Sequence, residues 1–470
     1  LEEAKVYFEQ AMKLLDTLPE TKENHEQRII LLINQWMVFE HLFQISEYYD
    51  HLTRYESIAI GLENQGLLGA YYAGEALCEW WLGNFDKAIQ FANKAAKMCE
   101  ASGRVADAGF AYNMLQWCYL DIGDFNLVIA HKEHVLRMME QQFNLRWYVW
   151  AFVCASQAYS YLGRWDEALE NGKEGLRKAE EFSDNSLICI SARFISLSYT
   201  LKGDLNQAIK YGEMAVKKAP TPGDSVWAKA FLAFAWSRAG EPHKGLEALA
   251  KAASIHRAAR MFDGTVGFAL FLGEGYFLTG DYEKASQTLK EALELAERSG
   301  MKSAIGYAQA ILGRMALKTN PAQASHHFEQ SLANLEKCKS YPSEIELLRS
   351  ILMLTRGNLR QGIKIAEDLT DVFLGEGSIW GYVTVEYLLG NFYLQIVLVA
   401  GPKTLTFFAK NIAFLIKNFP SASEKAEYHL NKAIETAKEF GAKLILGQAY
   451  HDLGLLHKAK KRGEKAEECI

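Results

Sequence analysis

Residues 83–89 read GNFDKAI, and the same grammar returns as GDFNLVI from Gly123, GRWDEAL from Gly163 and GDLNQAI from Gly203. The three successive intervals are each 40 residues. GEPHKGL follows from Gly240 and GDYEKAS from Gly280, and weaker copies stand at Asn320 (NPAQAS), Gly357 (GNLRQGI), Ser421 (SASEKAE) and Lys461 (KRGEKAE). Upstream, FQISEYY at Phe43 keeps the phase, and LEEAK at Leu1 supplies a further half unit.

Each copy carries the same physical instructions. The glycine ends one helix, because only glycine enters the left-handed turn conformation without steric cost. The Asp, Asn or Glu that usually follows is suited to cap the next helix. Five residues after the glycine stands a small residue (Ala88, Ala168, Ala208, Gly245, Ala285), and four before it an aromatic (Tyr119, Tyr159, Tyr199, Trp236, Tyr276). A ring packed over a small residue across a turn makes an antiparallel helix hairpin. The reading is therefore an all-α chain of about eleven helix pairs without a sheet. A chain of 470 residues exceeds a single ordinary core, and a repeat array escapes that limit because each unit packs on its neighbours.

Composition narrows the function. A net charge of −6, with no basic block, leaves no electrostatic footprint for nucleic acid. The densest basic stretch, KAKKRGEK (residues 458–465), reads as a solvated helix end. Seven cysteines without CxxC spacing, and no N-x-Ser/Thr sequon, fit a reducing, cytoplasmic setting. Cys78 and Cys118 each fall five residues before a turn glycine, which is a packing position. The most apolar run, residues 388–400, is interrupted by Asn391 and Gln395 and is short of the ~20 residues that span a bilayer. The start at Leu1 and the stop within GEKAEECI read as a segment cut from a longer protein.

Catalytic motifs are absent. There is no phosphate loop and no G-x-S-x-G elbow. GEGSIWG (residues 375–381) is superficially similar to a dinucleotide loop but follows a helical pattern with the wrong spacing, so it reads as an inter-repeat turn. His326, His327 and Glu329 lack a second cluster, so no metal site is assigned. The acidic and basic residues lie on solvated helix faces, and no cofactor is called for.

The grammar resembles the tetratricopeptide repeat. In LGEGYFLTGDYEKASQTLKEAL (residues 272–293), Leu272, Gly273, Tyr276, Gly280, Ala285 and Ala292 fall on that family's signature positions. The period is nearer 40 residues than the family's usual length of about 34, which implies longer helices. The resemblance implies a right-handed superhelix whose pitch differs from that of standard members. HEAT-type arrays share the period but lack the Gly-x-x-x-x-Ala turn. One stretch breaks the rhythm: Gly401-Pro402 and Pro420 bracket an apolar helix at about residues 405–418. The expected organisation is thus a repeat array over residues 1–400, an inserted helix over 401–421 and final repeats over 422–470, in one continuous solenoid.

Three stretches resemble one group more closely: residues 4–33 (AKVYFEQ…ILLI), residues 66–89 (GLLGAYYAGEALCEWWLGNFDKAI) and residues 407–470 (FFAKNIAF…ECI). They are similar to the C-terminal repeat region of large bacterial signalling proteins that carry an adenylate/guanylate cyclase and a STAND-type ATPase. The resemblance implies a regulatory segment that gates the ATPase and cyclase, with neither activity of its own.

In tetratricopeptide pairs the first helix faces the concave side, at positions roughly 13, 10, 6, 3 and 2 before the turn glycine. By that resemblance the groove takes Trp80, Trp81, Phe110, Asn113, Trp117, Asp121, Trp150, Gln157, Tyr161, Arg193, Trp227, Arg238, Glu274 and Phe277. Aromatics beside Arg, Asn and Gln supply rigid contact area and orienting polar groups. The expected partner is a protein, a peptide, a small inducer or another domain of the parent chain. The alternative is a scaffold for self-assembly that takes no ligand.

Overall fold

The computed structural model of the chain describes residues 1–317, 319–399 and 405–469. Among these residues the chain forms twenty-four α-helices, one short 3-10 turn (Pro242–Lys244) and no strand. The first four helices are α1 (Glu2–Asp16), α2 (Lys22–Ile33), α3 (Trp36–His41) and α4 (Ile45–Ile60). Regular pairs follow: α5 (Gln65–Trp81) with α6 (Phe85–Ala101), α7 (Val105–Ile122) with α8 (Phe125–Gln141), and α9 (Leu145–Tyr161) with α10 (Trp165–Glu181). Next come α11 (Asn185–Lys202) with α12 (Leu205–Lys218), α13 (Pro222–Arg238) with α14 (Leu246–Ala258), and α15 (Phe262–Thr279) with α16 (Tyr282–Ser299). The array ends with α17 (Lys302–Ala316) and α18 (Pro321–Cys338), α19 (Pro342–Thr355) and α20 (Leu359–Glu376), α21 (Ile379–Val397) and α22 (Leu405–Phe440), and α23 (Lys443–Ala459) and α24 (Gly463–Glu467).

The glycine turns are as the sequence reads, but of the acids and amides that follow them only Asp204 and Asp281 cap the next helix with their side chains; Asn84, Asp124, Glu241 and Asn358 do not. Gly83, Gly123, Gly163, Gly203, Gly240, Gly280 and Gly357 all have positive φ. The amide after the glycine donates back to the carbonyl of the aromatic four before it, as from Asp124 to Tyr119 (2.8 Å), Arg164 to Tyr159 (2.9 Å) and Asp281 to Tyr276 (3.0 Å). This is the closing bond of a Schellman turn. Ala88, Ala168, Ala208 and Ala285 are fully buried, and a Cβ at Gly245 would sit 2.6 Å from that of Ala233.

A polar staple adds to the hairpin. Seven residues before the turn glycine, Ser156, Ser196 and Ser350 donate to the carbonyls of Ala168 (2.6 Å), Ala208 (2.7 Å) and Gly362 (2.8 Å) across the pair. Gln116 does the same to Val128 at 3.0 Å. Each bond ties the first helix to the second while satisfying a hydroxyl or amide that burial would otherwise penalise.

The superhelix closes on itself after about five pairs. α15 packs on α5, α17 on α7, α13 on α3 and α21 on α11. The seam is stitched by the Tyr341 amide to the Tyr161 carbonyl (2.6 Å), Thr221 near His41 (3.4 Å, 180 residues apart) and Lys443 paired with Glu241. The turn glycines are the contact points. A Cβ at Gly83 would lie 2.7 Å from the Phe262 ring, and one at Gly203 would collide with the backbone of Trp380. The same glycines that turn the chain therefore let one superhelical turn lie on the next.

The inserted helix differs from its expected bounds. α22 runs unbroken from Leu405 to Phe440, through Pro420, so insertion and final repeat form one helix; Gly401-Pro402 lies outside the described residues. Proline removes one helical N–H and crowds the preceding turn. Here the turn faces solvent, with Ile416 67% exposed, and side chains take neighbouring carbonyls: Asn418 Nδ2 donates to Phe414 (2.9 Å) and Ser421 Oγ to Asn418 (3.4 Å). Its first half is packed through Asn411, which donates to the Gly357 carbonyl (2.9 Å) and accepts from the Leu359 amide (3.3 Å).

Candidate functional site

The first helices of the pairs point inward, and closure turns their concave groove into an internal channel. Its widest part, about 140 Å³, is walled by α5, α7, α9, α11, α13 and α15, with Glu40 of α3 at one side. A second chamber of about 100 Å³ shares Asp121, Gln157, Tyr161, Asp263 and Phe271 with the first and continues to Tyr307 and Tyr341. A narrow recess of about 40 Å³ shares Glu40, Trp117, Trp150, Arg193 and Trp227 and leads to Trp36 and Arg146.

Nine of the fourteen expected groove residues line the first chamber: Trp80, Trp81, Trp117, Asp121, Trp150, Gln157, Tyr161, Arg193 and Trp227. The rings form a ladder along successive helices. Trp80 meets Trp81 at 4.3 Å and Trp117 at 5.0 Å; Trp117 meets Trp150 edge-on at 4.9 Å; Trp150 meets Phe194 at 6.1 Å. Edge-on and tilted arrangements satisfy the ring quadrupoles. Arg193 lies over Trp227 (5.0 Å) and Phe194 (5.1 Å).

The other five residues have structural jobs. Phe110 is sandwiched between Trp36 (5.0 Å) and Trp147 (4.9 Å), and Asn113 is fully buried against Gln116. Arg238 pairs with Glu274 (3.4 Å), bonds the Tyr307 hydroxyl (3.2 Å) and lies over Trp380 (4.8 Å), which bolts the seam. Phe277 is covered by Arg314 at 5.0 Å. The register counts these five as groove because it ignores what covers an inner position: neighbouring helices at Phe110, Asn113, Glu274 and Phe277, and the returning superhelical turn at Arg238.

Conversely, the register missed the position nine before the glycine, which brings Cys154, Phe194, Phe231 and Phe271 to the wall. The signal was a period of 3.6: positions 13, 9, 6 and 2 share a helix face better than 13, 10, 6, 3. Glu40 also had a signal, standing three before Phe43 in the earliest copy. Asp263 had none, since it arrives from the second superhelical turn.

The channel's charges are unusual. The Trp80 indole donates to Asp121 at 2.6 Å, and the Asp263 carboxyl stands beside that of Asp121 in the same chamber. Withdrawal from bulk water drives the Asp121 carboxyl well above its ordinary range, with the neighbouring Asp263 charge adding to it. Burial pushes Asp263 up to about 6 and Glu40 up to about 7, the latter opposed by Arg146 and Arg193. Among the described residues no cation stands within ion-pair distance of these three acids, and no group of three metal-binding side chains occurs. No described helix is long and apolar enough to cross a membrane.

Known proteins share this architecture. The tetratricopeptide repeat family model matches residues 266–337. No curated protein gives a match. Among solved structures, NprR in complex with its cognate peptide NprX is similar at a TM-score of 0.54 and 14% identity, over 71% of this chain and 94% of that one. A Rap protein complexed with competence and sporulation factor is similar at 0.42 and 13%, over 89% and 99%. The human IFIT1 dimer with PPP-AAAA is similar at 0.43 and 15%, over 87% and 90%. Turn grammar, family model and the NprR likeness converge on one architecture, and the chain is an all-α superhelical array of tetratricopeptide-like helix pairs.

Proposed function

We propose that this chain is a non-catalytic regulatory domain that recognises a peptide or small inducer inside its superhelical channel. The observation that carries the reading is the aromatic ladder around a buried Arg193 that is unpaired among the described residues. A merely structural interior would fill this volume and pair this charge. NprR was solved with a peptide, and its likeness in fold makes an internal peptide site a natural use of the architecture.

Asp121 belongs to the first superhelical turn and Asp263 to the second, so a ligand touching both alters the seam. That is a route from occupancy to shape. By its resemblance to the cyclase–ATPase group, the domain would gate those attached activities in the cytoplasm through this change.

The test is selection of a displayed dodecapeptide library on the 470-residue chain. Selected peptides should bind the wild type and lose at least about ten-fold in affinity with Trp117→Ala plus Trp227→Phe, a loss of about 1.4 kcal/mol. Undiminished binding to this variant, folded at the assay temperature by its circular dichroism, would reject the channel as the site. The second reading, self-assembly, is favoured by one observation: Phe408, Ile412, Ile416 and Phe419 form an exposed stripe on α22, each 41–67% accessible. Sedimentation showing concentration-dependent dimers abolished by Ile412→Lys would support it.

A further inference from the structure

The channel holds two unmet demands of opposite sign. Arg193 is 6% exposed, lines both the main chamber and the recess, and among the described residues its guanidinium makes no hydrogen bond or ion pair. It lies over the faces of Trp227, Phe194 and Phe231. Trp81, 2% exposed and on the same wall, has an indole N–H without a partner among the described residues. Buried donors of this kind are rare because each costs about 1–3 kcal/mol unmet. They ask for an acceptor, and a guanidinium asks for a planar anion.

The same chamber holds Asp121, Asp263 and Glu40, none of them within ion-pair distance of a described cation, although the Arg193 charge acts on Asp263 and Glu40 at longer range. They ask for a positive charge, and the tryptophan faces beside them suit an ammonium. A simple anion would leave the acids unmet and be repelled by them. A simple cation would leave Arg193 unmet and face its charge. One skeleton carrying both signs answers both.

We propose that the main chamber binds a small zwitterion, a free amino acid or short peptide, with its carboxylate on Arg193 and its ammonium at the Asp121–Asp263 pair. The tryptophan ladder takes its apolar body. This rests on the proposed function above and names its ligand class. The size agrees: a chamber of about 140 Å³ has room for far more than a single water, and the adjoining chamber of about 100 Å³ leaves space for a second residue towards Tyr307.

The experiment is a thermal-shift screen of the 470-residue chain against the twenty amino acids and a set of their dipeptides, with calorimetry on each compound that raises the melting temperature. Every binder is then remade as its C-terminal amide, which removes the carboxylate, and as its N-acetyl form, which removes the ammonium. Each capped form should bind at least about ten-fold more weakly. Arg193→Met should erase the preference for acid over amide, and Asp121→Asn with Asp263→Asn should erase the preference for the free amine. If Arg193→Met does not fold, the capped ligands on the wild type decide alone. Equal binding of free and capped forms, or a screen in which nothing raises the melting temperature, overturns the zwitterion. The broader reading stands or falls separately: library-selected peptides that lose affinity in the channel variants keep it standing, and peptides indifferent to those variants sink it.

Discussion

The first superhelical turn and the last are built from the same repeat, yet they bury different amounts of it. Sixteen of the seventeen residues of α5 are buried, and fourteen of the eighteen in α11, but only five of the fourteen in α19 and seven of the seventeen in α23. The inner helices of the first turn are covered on one side by their partners and on another by the returning turn, so they read as apolar nearly all round. Among the described residues no further turn packs on the last one. Its core is a separate cluster around Tyr393, Phe373 and Leu430, and its added helix leaves an apolar stripe in solvent. Closure is therefore a property of the array rather than of the unit.

The most damaging way to break this difference is at the seam. Gly203→Ala places a Cβ against the Trp380 backbone at φ of +100°, whereas Gly280→Ala has φ of +81° and nothing within 4 Å. The expected cost is about 3–4 kcal/mol at Gly203, from strain plus collision, and about 1 kcal/mol at Gly280, from backbone conformation alone. Because repeat arrays unfold in segments, hydrogen exchange in α11 and α21 is the readout, and equal exchange in both variants would contradict a packed seam.

Next in size is the contrast between inner and outer aromatics. Trp117→Ala should lower stability by about 3 kcal/mol and Phe408→Ala by about 0.5 kcal/mol or less, because only the first vacates packed space. A urea titration followed by circular dichroism separates them. Smaller again is the staple: Ser196→Ala should cost about 1 kcal/mol by the same titration, and no change would mean that the bond to Ala208 contributes nothing.

The smallest effect is the pH dependence of the first turn. Asp263 and Glu40 are raised in the folded chain, so between about pH 4 and 7 the folded state holds protons that the unfolded chain has released. Their contribution is fully present below the unfolded carboxylate range and is lost as pH rises through about 6 to 7. His256, pushed down to about 4 by burial, acts in the opposite direction, being penalised as pH falls below about 6.5. Asp263→Asn with Glu40→Gln should therefore gain about 2 °C in melting temperature on the wild type between pH 5 and 8. An unchanged difference across that range would show that these acids are hydrated as in water.

The sequence disclosed what is local. Turn glycines, the aromatic four before and the small residue five after report contacts within one hairpin, and a single copy suffices to read them. Nine channel residues followed from that phase because an inner face is also local to its helix. What stayed hidden depends on superhelical pitch, a sum of small rotations that no single repeat encodes. Hence the register puts Arg238 on a surface that the seam covers, and Asp263, which completes the acid pair, carries no mark of its destination. Pro420 is the simpler case: a proline whose preceding turn faces solvent, where water can take the one carbonyl it frees, does not end a helix.

The central claim, that the inner channel between superhelical turns is the recognition site, is tested most directly by hydrogen exchange with and without a library-selected peptide. The account predicts slowed exchange in α7, α9, α11, α13 and the start of α15, with the outer helices α8, α10 and α12 unchanged. Protection confined to those outer helices, or to the exposed stripe of α22, would contradict it.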